Sequence, residues 1–310
     1  MKEIILIGGG GHCLSCLDVI NNQKIFKVKG IVDKHINKNI PYKLIGQDNN
    51  LVDLRKKYSY AFITIGQIKN STVRENIFQK LKLLKFKIPN FYSKYSYISK
   101  TANILEGSII LHKAVLNAYC SIGSNSIINT SAIIEHEVKI GNNCNIGCNV
   151  ILKNTIIGDN VNILDGSIIG KKGFGFFPGK KSNIRYPHIG MVLIEKNVEI
   201  GCNNVIDRGS LSNTVIGENT FLDNQVHIAH NVKIGKNCII AGQVGFAGSS
   251  SLGDRVMIGG QAGISGHIKV GNDVKIGGGS GVIKNIPNNS KVMGYPATDI
   301  KNFIKENKND

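Results

Sequence analysis

Residues 216–282 decide the fold. Read in sixes they are IGENTF LDNQVH IAHNVK IGKNCI IAGQVG FAGSSS LGDRVM IGGQAG ISGHIK VGNDVK IGGGSG V. The first residue of every block is apolar, from Ile216 through Leu222, Ile228 and Phe246 to Ile276 and Val282, without a slip over 66 residues. A second run with the same period of six joins Ile122, Ile128, Ile134, Ile140, Ile146 and Leu152. A period of six fits neither a helix of 3.6 residues per turn nor a hairpin meander. It reads as a parallel β-helix of hexapeptide repeats. The aliphatic side chain points into a triangular prism, three hexads make a coil of about 18 residues, and Gly or Asn is expected in the left-handed backbone position at the corners. The 36 glycines and the lack of Trp suit so narrow an interior.

Two segments leave the register, residues 170–191 and 207–213. Solenoids put such insertions on one face, often the binding face. The first concentrates Phe174, Phe176, Phe177 and Tyr186, which either pack on a neighbouring coil or subunit or cover a ligand.

The chain divides near residue 93. Before it, the apolar run Lys2 to Ile7 stops at Gly8-Gly9-Gly10-Gly11-His12, and a segment of helical spacing (Leu14, Leu17, Ile20) follows. Further strands are expected at Val28 to Val32, ending at Asp33, and at Ala61 to Ile65, ending at Gly66. This alternation predicts a small Rossmann-like α/β domain with a parallel sheet over residues 1–93. Its glycine-rich turn can present backbone N–H groups at a helix N-terminus to a phosphate. The dinucleotide fingerprint is imperfect, because a reading from Gly8 puts Cys13 at the third glycine. Gly9, Gly10, Gly11, His12, Asp33 and Gly66 are the candidate nucleotide-binding residues; a plain tight turn and a loop acid are the alternatives. Residues 94–297 form the β-helix domain, and 298–310 a short basic tail with Lys301, Lys305 and Lys308.

Composition narrows the class. The formal charge is +17, from 38 basic and 21 acidic residues. Either a coding bias toward Lys, Asn and Ile or an anionic partner explains it. Nucleic acid is not expected, since the lysines are dispersed and no recognition motif accompanies them. No apolar run approaches the roughly 18 residues of a membrane span, the start Met1-Lys2-Glu3-Ile4 lacks a signal peptide's pattern, and seven cysteines are scattered. A cytoplasmic protein with reduced thiols is the expectation.

Position in the hexad marks the chemistry. His136 and His230 each stand two residues after a core residue and so project outward. One coil beyond His230 stands Gly248, about 4.8 Å away along the axis. A base at 230 beside an uncovered N–H near 248 suits acyl transfer, the base taking a proton from the nucleophile and the N–H receiving the oxyanion. His227 and His267 lie nearby, but no acid or Cys joins them at ligand spacing, so no metal is expected.

These residues carry a resemblance. Gly173-Phe174-Gly175-Phe176, Tyr186-Pro187-His188-Ile189-Gly190, Ile206-Asp207-Arg208-Gly209, Asp223 to Asn231 and Ile264-Ser265-Gly266-His267 look like the UDP-3-O-(3-hydroxyacyl)glucosamine N-acyltransferases of lipid A synthesis, left-handed β-helix enzymes. The resemblance spans about residues 157–297. It implies a homotrimer with active sites between subunits, an acyl carrier protein thioester as donor and the amine of a UDP-sugar as acceptor, with no cofactor. His230 would be the general base, Gly248 the oxyanion donor, His267 a second active-site histidine, and Asp223 and Asn224 acceptor contacts. Residues 1–146 instead resemble the sugar acetyltransferases of sialic acid and bacillosamine pathways, through Ile7 to His12, Asp33, Ile65-Gly66 and Asn129 to Glu137. That resemblance implies acetyl-CoA as donor, His136 as base and Glu137 as its orienter. The second histidine usual in that family is replaced by Asn145, and the longer helical extension usual in the lipid A enzymes is reduced to 13 residues after Ala297.

Overall fold

The computed structural model describes residues 1–66 and 72–294; the expected basic tail, 298–310, lies outside the described residues. The N-terminal region contains β1 (Lys2–Ile7), α1 (Gly11–Gln23), β2 (Phe26–Val32), β3 (Leu44–Gly46), α2 (Leu51–Lys57), β4 (Tyr60–Ile63) and α3 (Thr72–Leu83). The strands pair in parallel in the order β3-β2-β1-β4. In the central strand Ile4, Ile5, Leu6 and Ile7 are all fully buried. An uninterrupted apolar run is what a strand covered on both faces requires. β4 is shorter than the expected 61–65, because Thr64 turns its hydroxyl back onto the Ile7 and Gly8 carbonyls at 3.1 and 2.6 Å.

From Phe91–Tyr92 to Lys291–Val292 the chain winds into a parallel β-helix with faces of nine, eleven and ten strands. Most strands are two residues long, the first residue pointing out and the second in. Inward residues stack coil on coil, as in Ile228↔Phe246↔Ile264↔Val282. All the hexad positions read from the sequence as core are buried. Ser and Thr hydroxyls tie coils at the corners; Thr220 Oγ1 donates to Gly235 O at 2.8 Å and accepts from Cys238 N at 3.1 Å.

The corners bear out the expected Asn and correct the expected Gly. The left-handed position is filled mostly by residues other than glycine, such as Asn125, Gln225, Asn231 and Ser249, with Gly107, Gly166 and Gly279 as exceptions. Glycine instead follows the inward aliphatic. There a Cβ would strike the next coil's backbone, 2.4 Å away at Gly123 and at Gly235. Close approach between coils, and not backbone freedom, accounts for the glycine at these positions.

The two regions share packing. Ile109, Leu111 and Ile127 of the first coils join the apolar core of the α/β region. Arg74, fully buried on α3, donates to the carbonyls of Ile63 and Ile65 (2.8 and 2.9 Å) and to those of Asn125 and Gly107 (both 3.3 Å). One guanidinium therefore bonds the end of β4 to two solenoid corners. All seven cysteines are free thiols. Among the described residues, no helix is long and apolar enough to cross a membrane.

Candidate active site

His230 stands on the ten-stranded face, just after the strand His227–Ile228. Its Nδ1 lies 2.9 Å from Asn231 Oδ1. The identity of that oxygen is fixed by its other donors, Ser210 N at 3.0 Å and Ser210 Oγ at 2.6 Å, while Asn231 Nδ2 donates to Ser212 O at 3.1 Å and Ser212 Oγ at 2.6 Å. An amide oxygen only accepts, so Nδ1 of His230 carries the proton and Nε2 presents its lone pair. The 207–213 insertion thus holds the residue that sets the tautomer. Asn231 and its serine supports were missed in the sequence, although the residue after His230 and the nearby register break both marked them.

The lone pair faces Gly248. A Cβ at 248 would lie 2.8 Å from His230 Nε2 and 2.7 Å from Cε1, so only glycine leaves the ring its place. The peptide is pinned from beyond: Ala247 N donates to Ile264 O at 2.9 Å, and Gly248 O accepts from His267 N at 3.1 Å. Gly248 N–H itself meets no acceptor among the described residues. An imidazole lone pair and a free N–H donor therefore sit side by side on adjacent coils.

Around them runs an apolar groove of about 710 Å³. Its floor is the outward column His227, Gly245, Gly263 and Gly281, and a Cβ on any of these three glycines would meet nothing within 4 Å. Three rungs give a trough of about 14 Å. Ala229, Ala247 and Ser265 keep the adjacent column small, Ile283 closes the far end, and Phe174 reaches in from the 170–191 insertion.

That insertion forms a small antiparallel hairpin, Phe176–Phe177 with Ile184–Arg185. Phe174 and Phe176 pack edge to face at 4.8 Å, and Phe177 packs on Tyr186 at 4.0 Å. Its return strand brings the buried His188 against His230, with ring centroids 5.4 Å apart and nearly perpendicular. The 207–209 segment clamps the stem. Arg208 donates to Gly190 O (2.6 Å) and Ile189 O (3.0 Å), and the buried Asp207 lies 2.6 Å from Lys171 Nζ, an ion pair without hydrogen-bond angles.

The remaining candidates lie elsewhere. His267 occupies the corner two coils beyond Asn231; its side chain is exposed and does not line the groove. Asp223 and Asn224 belong to the eleven-stranded face, where they line a separate cavity of about 410 Å³ with Phe221 and Ile239. Within one chain they do not meet His230. His136 and Glu137 are exposed at a corner four coils before His230, roughly 19 Å along the axis. Asn145 is committed to a ladder with Asn129 and Asn162 (2.9 and 2.8 Å). No three His, Cys, Asp or Glu side chains converge as metal ligands among the described residues.

In the α/β region, Gly9, Gly10, Gly11, His12, Asp33 and Gly66 gather at the carboxyl end of the parallel sheet, the usual ligand edge of such folds. Asp33 Oδ2 accepts from Gly9 N at 2.6 Å, so its carboxylate braces the glycine turn. A Cβ on Gly10 or Gly11 would meet nothing, leaving the start of α1 open. His12 packs against Gly66, and burial together with the Arg74 charge lowers its pKa to about 4.

Residues 3–81 match the family model for the PglD N-terminal domain, and residues 213–248, which include His230 and Gly248, match that for the bacterial transferase hexapeptide (six repeats). Over 115 residues the chain is 38% identical to UDP-3-O-acylglucosamine N-acyltransferase of Caulobacter vibrioides, covering 37% of this chain and 27% of the relative. The chain thus spans about a quarter of the length of the curated relatives it matches. Among solved structures it is similar to UDP-N-acetylglucosamine O-acyltransferase of Moraxella catarrhalis, at a TM-score of 0.50 and 22% identity, covering 69% of this chain and 77% of that one. It is also similar to PerB of Caulobacter crescentus, solved with CoA and GDP-perosamine, at a TM-score of 0.48 and 18% identity, covering 96% of this chain and 97% of the other. The first likeness shows a shared fold. Residues 3–81 are thus similar to a PglD N-terminal domain, and residues 213–248 to a bacterial transferase hexapeptide repeat.

Proposed function

We propose that this protein is an acyltransferase that moves a (3-hydroxy)acyl group from an acyl carrier protein thioester to the amine of a UDP-activated amino sugar. The observation that carries the reading is the lone pair of His230 Nε2 beside the free N–H of Gly248. His230 Nε2 takes a proton from the acceptor amine as its nitrogen attacks the thioester carbonyl. The oxygen then accepts from Gly248 N–H, and collapse expels the thiolate, which recovers the proton from the imidazolium. An apolar trough floored by Gly245, Gly263 and Gly281 suits a long alkyl chain better than an acetyl group.

The site calls for a second copy of the chain. Below His227 the outward residues on the same face are Val115, Ile133, Ile151, Ile168 and Val205, an apolar column only half covered in one chain. A homotrimer would cover it and would bring a neighbour's Asp223 and Asn224 to the groove. The turn at Gly9 to His12 would hold the nucleotide. These are the activities of a cytoplasmic enzyme of lipid A type synthesis.

The match of residues 3–81 to the PglD N-terminal domain supports a second reading, acetyl-CoA-dependent acetylation of a nucleotide-activated amino sugar with His136 as base and Glu137 as orienter. The two readings separate when a panel of UDP-amino sugars is offered with acyl carrier and CoA thioesters side by side and products are weighed by mass spectrometry. Long-chain N-acylation from the carrier alone supports the first; acetylation from CoA alone overturns it.

A further inference from the structure

We propose that His188 is a positioning residue for His230, its uncharged ring fixing the base and turning the negative end of its dipole toward the imidazolium that forms there. The inference rests on His230 being the base. His188 Nδ1 lies 2.9 Å from the Tyr186 carbonyl, which only accepts, so Nδ1 carries the hydrogen and Nε2 is a bare lone pair. That Nε2 is buried and has no donor in the protein. A buried unpartnered acceptor is costly and calls for a reason. It borders the same spot as the base: a Cβ on Gly173 would lie 3.0 Å from His188 Nε2, 2.8 Å from His230 Cβ and 3.1 Å from His230 Cδ2. Glycine at 173 and at 175, where a Cβ would come within 3.3 Å of His188, lets the two rings meet edge to face.

The charged groups around His188 are His230 itself, Arg185 on the same hairpin, and Asp207 with its partner Lys171. Arg208 holds the two residues that follow through their carbonyls. Burial lowers the pKa of His188, with the His230 and Arg185 charges acting in the same direction; the Tyr186 carbonyl and the Asp207 carboxylate oppose this. Burial thus favours the neutral form of His188, with its hydrogen on Nδ1. A lone pair bordering the same spot as the His230 ring favours a positive charge there, and the edge-to-face packing of the two rings restrains the base.

The test uses the full chain with ¹⁵N-labelled histidine as wild type, His188→Leu and His188→Gln. The ring signals of His230 are followed against pH, which needs no substrate and so separates this inference from the acyltransferase reading. The signals should move at lower pH in His188→Leu than in wild type, with recovery in His188→Gln, which keeps an acceptor. Where turnover is measurable, kcat in His188→Leu should fall roughly tenfold at unchanged KM, and the Leu substitution should add nothing in a His230→Ala background. Identical His230 titrations in wild type and His188→Leu would overturn the proposal. An active His230→Ala would instead overturn the reading of the base.

Discussion

Gly248→Ala isolates the central geometry with one added methyl group. The new Cβ would stand 2.8 Å from His230 Nε2 and 2.7 Å from Cε1, where ordinary contact begins at 3.4 Å, so the ring must retreat by roughly 0.6 Å. Its retreat is resisted by the 2.9 Å bond to Asn231, itself held by Ser210 and Ser212. A displacement of about 1 Å at a reacting group costs on the order of a hundredfold. A shift near 0.6 Å should therefore cost ten- to a hundredfold in kcat, or about 1.4–2.7 kcal/mol. The backbone tolerates alanine, because Gly248 is not among the positive-φ residues, so the loss of stability is confined to the overpacking against the ring, about 1–3 kcal/mol. The assay is steady-state acyl transfer beside a melting curve. Gly266→Ala is the control, because its Cβ would meet only Gly248 O at 3.1 Å and the Ala247 methyl at 3.8 Å, and no ring. Wild-type turnover in Gly248→Ala would refute the placement of the base against this peptide.

Asn231→Ala removes the acceptor that fixes the His230 tautomer and puts Ala at a φ of 64°, so kcat should fall and stability drop by about 2–3 kcal/mol, read by chemical denaturation. Gly263→Leu should fill the middle of the trough and abolish transfer from long-chain thioesters while sparing short ones, read by product mass spectrometry over a donor series. His12 predicts an acid limit for the α/β region. Its folded pKa, about 4, lies below the usual 6.5, so the associated stability is complete above pH 6.5 and falls by up to about 3 kcal/mol as pH drops toward 4. His12→Gln should flatten that loss in melting temperatures taken between pH 7 and pH 4.

The solenoid was legible because its period is set by geometry: every sixth residue must fill the prism, and Ile216 to Val282 announce it without a break. The glycines were legible in number but not in cause, since contact with the coil 18 residues later is invisible along the chain. His230 and Gly248 could be paired because the coil length converts sequence separation into adjacency. Asn231, Ser210 and Ser212 could not, because they meet through an insertion that breaks the register. His188 was hidden for the same reason, since only the hairpin carries it onto His230. Asp223 and Asn224 show the opposite limit: expected at the same site as His230, they line a separate cavity on another face of the chain.

The claim that His230 is the base is tested most directly by comparing His230→Ala with His136→Ala in the same acyl-transfer assay. The account predicts that His230→Ala loses turnover by at least about a hundredfold, the scale of general-base catalysis, while His136→Ala stays near wild type. Full activity in His230→Ala, with loss in His136→Ala, would contradict it and move the chemistry four coils down the solenoid.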